Sequence, residues 1–392
     1  MNFMFENFNT RENLIDGNCQ LGNNPSATRF QVSPMINTMN RKVLEVDLIT
    51  HTNDNHIIPV GVNGSIFNWS HGEDLGGVSI FDCLSESYLN NLRNKKAIFL
   101  IDYSLEGYHT DWLFRWFHDE CSRLKIPPQA IVYTVGNMLI DSQYDEWADM
   151  RGIDNRIKCI PYAGFEEYIH DASKPSKSNT DVRVNVDKHL EYKKNNKTWS
   201  FFCPQKRPRM HRRIFFDKMK DSNLLEKGLC SFPEEEHYIN GETHEGRNVT
   251  YYIARLHIEY SLQSFVTVVS EPQYFDKELS TFTSEKVFKP IACYHPFITL
   301  GGRGELEILK ERGYKTFSDY WDESYDTLPD TKRMDAIIDV IKYIDSIEDK
   351  ISWFESMRPI LEHNKRQLDS NSSKPDIAMV ELEKYYKEYF NE

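Results

Sequence analysis

Two segments far apart in the chain carry residue types that together could grip a nucleotide. The stretch Thr283-Ser284-Glu285-Lys286-Val287-Phe288-Lys289-Pro290-Ile291 sets a hydroxyl, a carboxylate and two ammonium groups at the head of an apolar run. If Ser284 caps a helix starting at Glu285, the open N–H groups of its first turn and the Lys286 ammonium make a compact anion site. A carboxylate beside it can accept hydrogen bonds from both hydroxyls of a ribose. Nucleoside diphosphate recognition needs that pair of functions. An ordinary capped helix with a solvated Glu–Lys pair fits the same spacing. In the second segment, Phe201 to Arg213, five cations and His211 fall within the eight residues 206–213, directly after an apolar strand-like run. Pro208 suits a first helical position. Arginines at a strand-to-helix junction favour bidentate phosphate contacts, although a solvated basic turn has the same composition.

A third segment, Ile101-Asp102-Tyr103-Ser104-Leu105-Glu106-Gly107-Tyr108-His109, follows a buried-strand pattern and leads into an aromatic helix. A hydroxyl attacking an anomeric carbon needs a carboxylate or imidazole to take its proton. Glu106 is the first candidate, with Asp102 and His109 behind it. In the alternative, Asp102 caps the turn and Glu106 is merely exposed.

Other chemistries find no support. There is no HExxH, no G-x-S-x-G and no GxxxxGK[ST]. No DxD triplet stands after a strand, so no metal bridge to a diphosphate and no cofactor are expected; cations and helix N-termini would stabilise a leaving group instead. The seven cysteines are dispersed with no CxxC pair, which reads as reduced thiols. Sixty acidic against 47 basic side chains give a net charge of −13, unfavourable for a general polyanion binder. With no long apolar run and no basic-then-apolar start, a soluble cytoplasmic protein without a membrane span is expected.

These residues must be held by a scaffold. Residues 1–40 read as an irregular N-terminal extension. Residues 41–170 alternate strand and helix patterns, with strands expected at Val43–Thr50, Ala97–Asp102, Ala130–Val135 and Arg156–Pro161. The helices expected there are Cys83–Leu92, Thr110–Leu124 and Asp141–Met150, with Trp112, Trp116 and Phe117 as core. Residues 171–198, polar and charged, read as a linker or insertion. A second series over 199–347 has strands at Thr198–Cys203, Ser264–Ser270 and Pro296–Leu300. Its helices are Arg207–Lys220, Ser284–Cys293, Gly304–Arg312 and Lys332–Ile347. Residues 348–392 form a helical tail. The pattern predicts two Rossmann-like α/β domains facing across a cleft, with C-terminal helices crossing back and ligands at the carboxyl ends of strands.

The ordered set RPRxHR, VVSE, TSEKVFKPI, PFI and GG resembles the C-terminal donor domain of GT-B glycosyltransferases. The likeness is to a variety common in bacteriophages and large viruses and distantly similar to fucosyltransferase and exostosin-like families. It spans about residues 199–345. Pro204 and Gln205 depart from the polar Asn-containing turn frequent in such proteins. The resemblance implies that Glu285 holds the donor ribose. It implies further that Lys286, Arg207, Arg209 and Arg212 meet the diphosphate, with Glu271 lining the same cleft and Ser284 and Lys289 counted among the donor-binding residues. It implies transfer of a hexose or pentose from a nucleotide sugar to an acceptor hydroxyl without a metal, in the host cytoplasm if viral. The acceptor is left open between a glycan and a hydroxymethylated pyrimidine in DNA, for which Arg207–Arg213 and Lys188–Lys197 would supply a cationic track. The rival reading is a non-catalytic nucleotide- or carbohydrate-binding module of the same fold.

Overall fold

The computed structural model describes residues 2–3, 47–48, 55–62, 70–71, 79–108, 111–174, 184–232, 235, 237, 239, 255–372 and 377–391. The chain divides into two compact units, residues 1–164 with 374–392, and residues 165–373. The division expected at 171–198 therefore falls at Gly164.

In the first unit the strands are β1 (Asn2–Phe3), β2 (Asp47–Leu48), β3 (His56–Gly61), β4 (Ala97–Tyr103), β5 (Ile131–Val135) and β6 (Lys158–Pro161). They form one parallel sheet in the order β2-β1-β3-β4-β5-β6. Helices α1 (Glu86–Arg93), α2 (Asp111–Leu124) and α3 (Ile140–Asp149) join its strands. The run AIFLIDY is buried at every position. Its odd residues Phe99, Ile101 and Tyr103 pack with Leu113, Phe114 and Phe117 of α2. Ile98 and Leu100 face Ala378, Met379, Leu382 and Tyr386 of the last helix, Ile377–Phe390. Lys158 fastens that helix through Glu381 at 2.6 Å. Both faces of the sheet are thus dry, which is why β4 is apolar throughout rather than alternating. Trp112 departs from the core expectation: it is 37% exposed and pairs with His71.

Two features of this unit run against sequence expectation. Residues 2–3, inside the supposed irregular extension, form β1. β3 contains Pro59, which argues against a strand. The N–H groups of His56 and of Val62, just past the strand, point to β4, so by alternation the missing N–H of Pro59 faces the β1 side. There the pairing with β1 is at Ile57.

The second unit begins with α4 (Gly164–Ser173) and α5 (Val186–Asn195). Strands β7 (Trp199–Pro204), β8 (Gly228–Ser231), β9 (Ser264–Ser270) and β10 (Phe297–Leu300) form a parallel sheet in the order β10-β9-β7-β8. Helices α6 (Met210–Asp221), α7 (Ile258–Gln263), α8 (Glu285–Ala292), α9 (Glu305–Glu311) and α10 (Asp330–Ser346) surround it, followed by α11 (Lys350–Ser356) and α12 (Arg358–Asn371). α13 is the final helix, Ile377–Phe390, already placed on the first unit. α10 buries Ile337, Ile338, Ile341 and Ile344. Part of the supposed linker is α5, which docks by burying Val186, His189, Leu190 and Lys193. Lys193 is 3% exposed and donates to Ser261 O (3.1 Å), Leu262 O (3.0 Å) and His189 Nδ1 (3.2 Å). His189 Nε2 reaches Cys293 O at 2.7 Å.

Cys121, Cys159, Cys203, Cys230 and Cys293 are buried free thiols. Among the described residues, no helix is long and apolar enough to cross a membrane.

Candidate functional site

β9 is the inner strand flanked by β10 and β7, so whatever follows its carboxyl end sits at the middle of the sheet edge where α/β proteins bind ligands. That position is Ser270-Glu271. The Glu271 N–H extends the ladder to Leu300 O at 3.0 Å, while its side chain is fully buried.

The two chemistry-bearing segments converge on this residue. From one side, the Glu271 carboxylate accepts from Ser284 N at 3.3 Å and from the Ser284 hydroxyl. Ser284 caps α8 by accepting from Lys286 N. Lys286 Nζ donates to Ser284 Oγ at 3.0 Å, lies 3.1 Å from Glu285 Oε1 and 3.9 Å from Glu271 Oε2. From the other side, Arg212 Nε donates to Ser270 Oγ (3.0 Å), Nη2 to Ser270 O (2.9 Å) and Nη1 to Arg207 O (2.9 Å). His211 Nε2 donates to Glu271 O at 3.1 Å. One residue at the end of β9 thus fastens the start of α6 to the start of α8, and both helix N-termini lie at the same edge of the sheet.

Burial sets the charges. Glu271 is pushed up to about 7, first by desolvation, with Lys286 pulling down and Glu285 pushing up. For Glu285 desolvation works in the same direction, but Lys286 and Lys289 outweigh it and hold the carboxyl below its ordinary value. Lys289 is drawn down to about 8 by burial, against the pull of Glu285. Burial, then Arg212 and Arg209, bring His211 down to about 3, so its ring is neutral at physiological pH. Arg212 falls to about 10, mainly through burial.

Several expected roles change on this geometry. Arg212 was expected at the diphosphate, but four of its five N–H groups are spent on main-chain carbonyls and Ser270, which makes it chiefly a strut. Glu271 was expected to line a cleft, yet it lies beneath the surface and acts through Ser284. Helix α6 starts at Met210 with Arg209 at its cap, so Pro208 precedes the helix instead of opening it. Arg207 is exposed and Arg209 half-buried, and among the described residues neither forms an ion pair.

In the first unit, Asp102 is fully buried and accepts from Ser104 N and Thr134 Oγ1, both at 3.0 Å. It shapes the turn after β4 and offers no reach to a ligand. Glu106 is half-buried in that turn. Its main chain is fixed between strand ends, with its N–H on Tyr103 O and its carbonyl accepting from Gly136. His109 lies outside the described residues.

Sequence reasoning missed Glu305. It opens α9 after the Gly301-Gly302 turn and is 1% exposed, with no hydrogen-bond partner for either carboxyl oxygen. Its Oε2 would stand 1.9 Å from a Cβ on Gly301, and the Glu271 Cβ would be 3.3 Å from that same point. Desolvation, then Glu271 and Asp326, push its pKa well up. The signal was the GG turn, whose missing side chains admit a carboxyl. Gln205, Gln273 and Thr283 likewise bury oxygens without hydrogen bonds. All follow strand ends at this edge, or adjoin Ser284.

No family model matches this chain, and no curated protein matches it. Two solved structures are similar over 87% of it. One is an α,α-trehalose 6-phosphate synthase from Burkholderia multivorans, at 11% identity over 73% of that chain with a TM-score of 0.41. The other is an α1,3-fucosyltransferase with GDP, at 10% identity over 84% of that chain with a TM-score of 0.33.

Proposed function

We propose that the protein is a GT-B-type glycosyltransferase that takes its sugar from a nucleoside diphosphate donor. The observation that carries this reading is the junction at Glu271, where the Ser-Glu-Lys helix start and the arginine-bearing loop meet at the end of one inner strand. Glu285, kept ionised by its two lysine neighbours, accepts from the ribose hydroxyls. Lys286 has donors on Ser284 and Glu285 and one N–H left to turn toward a phosphate oxygen. Arg207, Arg209 and the open N–H groups of α8 complete the anion site, and buried Arg212 adds positive potential from below. Charge building on the leaving diphosphate is then met by fixed donors, a stabilisation that needs no bridging metal.

Glu106 serves as the base that takes the acceptor proton. Tyr108 and Trp112, 40% and 37% exposed, follow β4 and offer faces on which a sugar ring can stack, which favours a glycan acceptor. The cationic track needed for DNA is weaker than its sequence suggests, because Lys193 is buried and Lys197 lies over the Trp199 ring.

Release of nucleoside diphosphate tests the reading. With a donor that binds, free diphosphate should accumulate on adding acceptor glycans, with no requirement for added Mn²⁺ or Mg²⁺. Binding without donor consumption would identify a module that lacks the chemistry. Turnover only with hydroxymethylated DNA would move the acceptor assignment.

A further inference from the structure

We propose that Glu167, His170 and Asp171, on helix α4, form a binding site for a divalent transition cation of the zinc class. The spacing i, i+3, i+4 puts the three side chains on one helix face. One ligand atom from each lies within 4.8 Å of the others. Such a trio of acids and a histidine is by itself common. The imidazole separates this one from an ordinary acidic patch.

His170 is largely shielded, with its side chain 13% exposed. Its Nδ1 is buried without a hydrogen-bond partner. The nearest carboxylate oxygen, Asp171 Oδ1, is 4.0 Å away. That is too long for a hydrogen bond, but one ion about 2.0–2.2 Å from each atom can span it. Behind the ring, Asp369 Oδ1 of α12 lies 3.5 Å from Nε2. A carboxylate on the far nitrogen is the usual device that fixes the tautomer of a metal-binding histidine and aims its lone pair. That contact is an ion-pair distance and not a hydrogen bond, with Lys365 on the same Oδ1; tightened on a metal-polarised ring, it would hold the proton on Nε2 and leave Nδ1 to ligate. Burial, then Lys174 and Lys365, outweigh Asp369 and Asp171 and lower the His170 pKa from its ordinary value. One nitrogen and two carboxylates suit zinc-class ions; magnesium prefers all-oxygen shells.

A cation already competes for part of the site. Lys174 Nζ lies 2.7 Å from Asp171 Oδ1 with about half its side chain exposed. An incoming ion has to displace that ammonium, and this gives a test that deletes no ligand. The site shares no side chain with the proposed donor site, so it stands or falls separately.

The test is Zn²⁺ titration of the full chain against a competing chromophoric chelator. The wild type should take up one equivalent more than His170→Ala. Asp369→Asn should weaken that equivalent roughly tenfold, and Lys174→Met should tighten it several-fold. Identical Zn²⁺ uptake and affinity in the wild type and His170→Ala would overturn the proposal. Should His170→Ala fail to fold, the Lys174→Met comparison decides: unchanged affinity there would mean that the cluster is only an internal ion pair.

Discussion

At the scale of single residues, the candidate donor site separates groups that can touch a ligand from groups that hold them in place. Arg209 and Arg212 are three positions apart and show the distinction. Arg212 spends its guanidinium on carbonyls and Ser270. Removing it should leave buried acceptors unpaired and lower stability by about 2–4 kcal/mol, read by denaturant unfolding. Arg209→Ala should leave stability nearly unchanged and weaken nucleotide binding about tenfold, read by calorimetric titration. Equal losses of stability in the two variants would show that Arg209 is also a strut. Glu106 belongs to the chemistry rather than to donor binding. Glu106→Gln should cut kcat by about 100-fold or more while the donor Kd stays unchanged. A fully active variant would place the base elsewhere.

At the scale of elements, most strands and helices can be read from apolar runs and breakers, and the failures have physical causes. β4, β5 and β9 are continuous apolar runs because both faces of their sheets are covered, and such runs are hard to mistake. β3 was hidden by Pro59, whose cost disappears only because its missing N–H faces away from β4. The short β8, Gly228-Leu229-Cys230-Ser231, has too few large residues to announce a strand. In α5 a buried lysine and histidine share the inner face with only two aliphatic residues, Val186 and Leu190, so composition alone suggested a linker. At the site, the Ser-Glu-Lys helix start was legible as a cap with charges. What could not be read was the depth of Glu271, or that Glu305 folds back under Gly301, since both depend on contacts across the sheet edge. The turn after β10 is equally tight on its other side: a Cβ on Gly302 would stand 2.7 Å from Ser280 O. Main chain cannot yield as a side-chain tip can, so Gly302→Ala should cost about 1–3 kcal/mol. A thermal melt checks it, and an unchanged melting temperature would mean that the turn is slack.

At the scale of the whole molecule, buried titratable groups should leave a pH signature. The Glu271 carboxyl stands at about 7 in the folded chain against an ordinary 4.5, so folding holds its proton. Its stabilising contribution is complete below the unfolded value and is lost as pH rises through about 7. His211 and His189, both brought down to about 3 chiefly by burial, act in the opposite sense and cost stability as pH falls below the ordinary histidine value. Comparison with Glu271→Gln cancels the histidines. The melting temperature of the wild type relative to that variant should fall between about pH 5 and pH 8; a flat difference over that range would mean that Glu271 is ionised in the folded protein. The central claim, that two distant segments form one grip on a sugar nucleotide, has a direct measurement. It is the melting shift given by UDP-, GDP-, CMP- and dTDP-sugars to the wild type, Glu285→Ala and Lys286→Ala. At least one of these donors should raise the wild-type melting temperature by mass action, and both variants, still folded, should lose that rise. No rise with any of them, or a rise that survives in both variants, would contradict the account.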